Sequence, residues 1–363
     1  MNLVKSLIAT MVLLIGILLS MAGIQALDTK AFRMDTAKPV RHRVVVETGR
    51  INIAGALDQG SPSAPSSCSC RVAYFNSEQV LAAATPDSQA TQNSVKDFLR
   101  GDLFDWDASE NKYQVRMTRQ EGGDRGPQIH TWRHVIYALE GSATFITGGR
   151  LVGGGDPSPA TPSRRDTPGP RSINGTNIEG GETRLVSKGD LVIVPKDTPH
   201  WWKGVTSPPF IYIAMNFVGA QSHDFSPDPG VVTYFDSKKV EAGFANGATR
   251  PDGSGGTVLF DGKGVGDKYQ VSTESLNGGP WQAEVHSLDT EVLYVKEGSA
   301  TFVTGGTVVG PKTTAPNEIR GNAIAGGVTR PFSKGDMLIV PNGTPIWFKE
   351  AHGPFLYLLV KIR

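Results

Sequence analysis

Short runs of β-branched and aromatic residues recur along the chain, punctuated by Gly, Pro and Asp, as in Val135–Ala138, Ala143–Thr147, Leu191–Val194 and Phe210–Phe217. Runs of that length and composition predict β-strands. Helical periodicity is scarce. Ser77 is placed to cap a helix over Glu78–Ala84, and Gln92–Arg100 is a weaker candidate. Upstream, Arg43–Ile53 alternates enough for a strand through Val44–Val46, Ile51 and Ile53, and Gly60–Ser67 reads as a Ser/Pro/Gly spacer. The predicted class is all-β with few short helices.

The pattern occurs twice. Val72–Ser77 matches Val232–Ser237, Leu103–Asp105 matches Leu259–Asp261, and Lys112–Val115 matches Lys268–Val271. Gly141–Gly149 then matches Gly298–Gly306, and Ser187–Asp190 matches Ser333–Asp336, each of the last pair running into Pro195 or Pro341. Ordered matches over such a span imply a duplicated domain rather than a solenoid of short units. The expected organisation is a leader over 1–26, an arm and linker over 27–70, a first domain over 71–219, a linker over 220–230 and a second domain over 231–363. The main difference between the copies is a Pro/Gly/Ser/Arg insert, Gly153–Arg171, of a length expected of a disordered or covering loop.

Composition narrows the classes. The chain has 363 residues, 36 basic and 35 acidic, with a net charge of +1. No basic run is present, which argues against a nucleic-acid partner. Lys5 followed by the uncharged Leu7–Met21 and small residues ending at Ala22 or Ala26 has the pattern of a secretory leader cleaved near Ala26. This predicts a secreted or periplasmic protein with no membrane span in the mature chain. Cys68 and Cys70, separated by one residue, fit a strained local disulfide or free thiols better than a metal site.

Candidate chemistry centres on Gln128–His200. On an alternating strand Gln128, His130 and Trp132 share one face. A turn near Trp132–Arg133 returns His134, and His200 enters from a third strand. Three neutral imidazoles suit a divalent transition metal with positions left open. Trp132, Trp201, Trp202, Tyr212 and Asn216 are candidates for a substrate-pocket wall. Arg133 reads as a solvated turn arginine. The second copy carries Glu284, His286, Glu291 and Ile346 at the corresponding positions.

The pattern Gln128–X–His130–X3–His134, then Gly141, then Gly189–Asp190–X4–Pro195–X4–His200, resembles the two motifs of the cupin superfamily. The resemblance covers about residues 71–219 and again 231–363, so the chain is similar to bicupins. It implies two cupin-type barrels (double-stranded β-helix, or jelly-roll). Carried over by position, His130 and His200 fill ligand places, Gln128 stands where the first His sits as a weak ligand or supporting donor, and His134 stands at the Glu place. The Glu284, His286, Glu291 and Ile346 set is a degenerate second site.

The expected function is a metal-dependent oxidoreductase of dioxygenase type on a small-molecule substrate. His130, His134 and His200 would hold iron, with Mn, Cu, Ni and Zn as alternatives. A non-catalytic small-molecule-binding or storage cupin is one alternative function; a metal-dependent lyase, decarboxylase or isomerase is another. A homo-oligomer is an expected partner state.

Overall fold

The computed structural model describes residues 45–47, 72–85, 97–104, 112–156, 158–159, 170–218, 225, 230–246, 248–249, 254–265 and 269–363. All lie in the compact unit Val44–Arg363. The expected leader, Cys68 and Cys70, most of the arm, the middle of the Gly153–Arg171 insert and most of the 220–230 linker lie outside the described residues. No helix among the described residues is long and apolar enough to cross a membrane.

The fold is all-β, and the two copies repeat one strand order. In the first, Arg133–Thr147 pairs with Glu182–Ser187, Leu191–Val194 and His200–Phe217. His200–Phe217 pairs in turn with Tyr113–Gln120, which carries Phe98–Phe104 on its far side. In the second, Thr290–Thr304 pairs with Val328–Ser333, Met337–Val340 and Ile346–Ile362. Ile346–Ile362 pairs with Tyr269–Gly278, and that strand with Gly255–Asp261.

The near-continuous apolar runs follow from where these strands sit. Ile136, Ala138, Val192 and Val194 point inward with Phe145, Trp202 and Phe210 to fill the first barrel. Their alternating neighbours Val135, Tyr137, Leu191 and Ile193 point outward into a core shared with Val271, Val292, Ile339 and Val360 of the second copy. A strand buried on both faces has no polar face to alternate with. Burying each such side chain is worth roughly 1.5–3 kcal/mol, so this shared core joins the barrels as firmly as a domain interior.

Each copy also lends the other a strand. Val72–Phe75, the lead-in of the first copy, pairs with Met337–Val340 of the second. Thr233–Phe235, the lead-in of the second, pairs with Leu191–Val194 of the first. The two copies are thus joined through their sheets as well as through the shared core.

The repeated Ser–Lys–Gly–Asp stretch is the fastening. Asp190 accepts hydrogen bonds from the Ser187 and Ser237 backbone N–H at 2.8 and 2.7 Å and from the Tyr234 hydroxyl at 2.7 Å. Asp336 does the same with Ser333, Ser77 and Tyr74, all at 2.8 Å. Gly189 and Gly335 sit at φ +88° and +87°, and a Cβ there would lie 2.9 and 2.8 Å from the Cβ of Ser237 and Ser77. The glycine is needed both for its left-handed turn and for the helix start docked against it.

Two helical expectations are corrected. The first helix spans Ser77–Ala82 and is capped by Asn76, whose side chain accepts from Gln79 N at 2.8 Å while Gln79 returns the bond at 3.0 Å. The Ser77 backbone N–H is committed to Asp336, so the capping role falls one residue earlier. The end of the Gln92–Arg100 candidate belongs instead to the strand Phe98–Phe104, where pairing with Tyr113–Gln120 outweighs weak helical propensity. A further helix, Ser237–Ala245, is capped by Asp236.

Asp336→Ala removes three bonds to one buried carboxylate. The expected result is a loss of roughly 3–5 kcal/mol and a lower denaturant midpoint, with Asp336→Asn falling between the variant and the natural chain.

Candidate metal centre

Three strands deliver the three histidines. His130 ends Gln128–His130, His134 is the second residue of Arg133–Thr147, and His200 begins His200–Phe217. Register sets them side by side: Gln128 pairs with His200, and His134 with Asn216. The loop before His200 is pinned because Asp197 N donates to the His130 carbonyl at 2.7 Å. The ring centroids form a near-equilateral triangle of 4.7, 4.9 and 4.9 Å. Each ring offers one nitrogen, and those atoms all lie within 4.8 Å of one another.

The tautomers follow from donor chemistry. Arg116 can only donate, and its Nη2 bonds Gln114 Oε1. That same oxygen accepts from Asn216 Nδ2 at 3.0 Å, so Asn216 must turn its carbonyl the other way. Asn216 Oδ1 therefore faces His134 Nδ1 at 2.8 Å and accepts its proton. His134 Nε2 is left with a lone pair, 2.8 Å from His130 Nδ1. His200 Nδ1 donates to the Thr198 carbonyl at 2.9 Å, which leaves its lone pair on Nε2. Behind this chain Asp102 lies 3.3 Å from Arg116 Nε.

Burial holds all three imidazoles neutral. It is the largest cause of the depression at each ring, reinforced at His130 and His134 by the neighbouring imidazoles. His200 is held down to about 4. A neutral nitrogen donor set fits a borderline divalent transition metal. Two nitrogens each about 2.1 Å from one metal at right angles would lie roughly 3 Å apart, close to the His130–His134 separation.

The histidines line a cavity of about 280 Å³ with Gln128, Trp132, Trp202, Tyr212 and Asn216. Trp132 stacks on His130, with centroids 3.9 Å apart and planes 7° from parallel. Trp202 stacks on Phe145 at 3.9 Å. Trp201 is a correction: it faces the opposite side of the strand, packed with Ile146 and Ile178, and its indole N–H donates to Asp124. His200 and Trp202 share one face, so the residue between them must take the other. Arg133 is not a solvated arginine either; it is buried and donates to the Val218 carbonyl at 3.2 Å.

Residue patterns around the histidines did not point to Arg100, Arg116 and Arg125, which line the same cavity, nor to Gln114. One signal was available. Just past the matched Lys–Tyr–Gln–Val stretch the copies diverge, with Arg116 and Thr118 against Ser272 and Glu274.

The second barrel solves the same position differently. Lys361 stands where Asn216 stands in the first: it pairs with Glu291 as Asn216 pairs with His134. Its ammonium lies 3.0 Å from Glu291 and 3.1 Å from His286 Nε2. His286 lies 3.3 Å from Glu291 and 3.6 Å from Glu284, and Arg320 pairs with Glu284. Burial opposes ionisation of Glu284, but His286 and Arg320 outweigh it and hold the carboxyl at about 2. Burial likewise depresses His286, and Glu284 and Glu291 more than reverse it, so its pKa is raised. Ile346 is buried beside them. These carboxylates are neutralised by cations of the chain itself.

Two outcomes test these assignments. Asn216→Leu removes the acceptor that fixes His134 and should weaken metal binding about 10–100-fold, read by competition with a chromogenic chelator. Glu284 is depressed in the folded state, so its contribution to stability is present above its unfolded pKa and is lost as pH falls toward about 2. The acid-induced drop in Tm below that unfolded pKa should therefore be shallower in Glu284→Gln than in the natural chain.

Residues 112–223 match the family described as Cupin. No curated protein matches the chain by sequence. Among solved structures, procruciferin, an 11S globulin of Brassica napus, aligns at 9% identity and a TM-score of 0.45, covering 73% of this chain and 81% of its own. A salicylate 1,2-dioxygenase from Pseudaminobacter salicylatoxidans aligns at 12% and 0.45, covering 69% and 71%. A variant of the B. subtilis oxalate decarboxylase aligns at 13% and 0.42, covering 74% and 73%. The cupin match falls on the barrel that holds the histidines, and the same strand order returns in the second half.

Proposed function

We propose that the first barrel is the active site of a metal-dependent oxidoreductase of dioxygenase type, acting on a small organic molecule in an exported protein. One observation carries this reading: three buried, neutral imidazoles converge, and hydrogen bonds hold the His134 and His200 protons on Nδ1, so that both Nε2 lone pairs face the cluster. His130, His134 and His200 would hold the metal, iron first, with Gln128 beside them. Bound there, a redox-active divalent metal supplies Lewis acidity and electron exchange with dioxygen.

The rest of the site is the work of the chain. Asn216, backed by Gln114 and Arg116, keeps the His134 proton on Nδ1 and so keeps the opposite nitrogen available. Thr198 does the same for His200. Trp132 stacks on His130 and limits its rotation, while Trp202 and Tyr212 give the substrate an aromatic wall that displaces water. Export is supported by Lys5 and the apolar Leu7–Met21.

The test is metal stoichiometry and oxygen dependence on the purified full chain. About one metal ion per chain is expected, falling to near zero in His134→Ala and His200→Ala, with oxygen consumed in step with substrate. Unchanged metal content in both variants would refute the metal site. Turnover under strict anaerobiosis would move the protein to the lyase or isomerase class.

A further inference from the structure

The cavity that holds the histidines has a second chemical character. Arg100 from Phe98–Phe104, Arg116 from Tyr113–Gln120 and Arg125 from the turn before Gln128 all line it. No Asp or Glu is among the described residues that do so. One carboxylate, Asp102, approaches from behind and faces Arg116. Arg125 lies with its guanidinium 3.7 Å over the Phe98 ring and donates weakly to the Tyr212 hydroxyl at 3.4 Å, a phenol that brings no negative charge. The three guanidinium groups therefore place an excess of positive charge in a half-enclosed space.

Such an arrangement is costly unless an anion joins it. Like charges repel more strongly as solvent is excluded. The arginines act on one another accordingly: after burial, Asp102 supports the Arg116 charge while Arg100 and Arg125 oppose it. Arg100 likewise opposes Arg125. Trp132, Ile136, Trp202 and Ala214, which line the same cavity, add apolar surface that suits a carbon skeleton rather than a bare inorganic ion.

We propose that the first barrel takes a small organic carboxylate, its acid group held by Arg100 and Arg125 beside Arg116 and its carbon skeleton against the tryptophans. The inference rests on the substrate-site reading above and narrows its substrate class. Guanidinium forks match carboxylate geometry bidentately, which discriminates against the uncharged amide of the same shape.

Benzoate, succinate, benzamide and inorganic phosphate are titrated into the full chain, zinc-loaded and metal-free, with calorimetric readout. Benzoate or succinate should bind at least about tenfold more tightly than benzamide, and Arg100→Gln and Arg125→Gln should each weaken that binding about tenfold or more. Arg125→Lys, which keeps the charge and loses the fork, should fall between and controls for folding. The proposal is overturned if no carboxylate binds, if benzamide matches benzoate, if phosphate binds more tightly than both carboxylates, or if both Gln variants bind undiminished. If zinc fails to load, the metal reading fails alone; carboxylate selectivity that persists in the metal-free chain still supports the arginine assignment.

Discussion

Everything in this molecule hangs on a layer of strands with no solvent-facing side. Val135, Tyr137, Leu191 and Ile193 meet Val292, Ile339 and Val360 across the junction of the two copies, while Ile136, Ala138, Val192 and Val194 fill the first barrel from the same strands. A one-residue slip in either sheet would exchange these sets, but both faces are apolar and register needs another determinant. Asp190 and Asp336 supply it. Each carboxylate fixes a turn of its own copy and the incoming helix of the other by three directional bonds. Because His134 lies on the strand that pairs with Leu191–Val194, the geometry of the metal centre inherits that register.

The two barrels show how little sequence change separates a cluster of neutral imidazoles from a self-contained ion-pair network. His134 becomes Glu291, Asn216 becomes Lys361 and His200 becomes Ile346, on strands paired in the same way. In the first barrel an amide oxygen orients a neutral imidazole and adds no charge. In the second an ammonium on the same strand position sits among carboxylates. An ion pair of that kind is weak evidence for added stability, since desolvation offsets much of the attraction. Its evident effect is to set a tethered cation among the second barrel's carboxylates, at the strand position where the first barrel has the neutral Asn216.

Much of this was legible in the chain. Duplication, strand content and convergence of His130, His134 and His200 all follow from local patterns, because alternation and motif spacing are properties of neighbouring residues. What was not legible depends on pairing between distant strands. The exchange of Val72–Phe75 and Thr233–Phe235 between sheets leaves no local mark, since a lead-in strand looks the same whichever edge it joins. Trp201 was misread because two indoles in sequence look equivalent until strand alternation assigns one to each face. Arg100, Arg116 and Arg125 went unread because their shared cavity is assembled from separate strands and a turn. Only the divergence at Arg116 from Ser272 carried a hint.

The exchanged strands also bear on the order in which the chain is made. Translation releases Val72–Phe75 well before its partner Met337–Val340. The edge strand Leu191–Val194 likewise waits for Thr233–Phe235, which lies beyond its own copy. The sheet edge of a nascent first barrel is therefore filled soon after its own strands are made, whereas its lead-in strand stays unmatched through most of the second half, a condition in which edge-to-edge association between chains is readily seeded. In this architecture the second barrel takes up a strand made long before it, so that its completion also settles the start of the first copy.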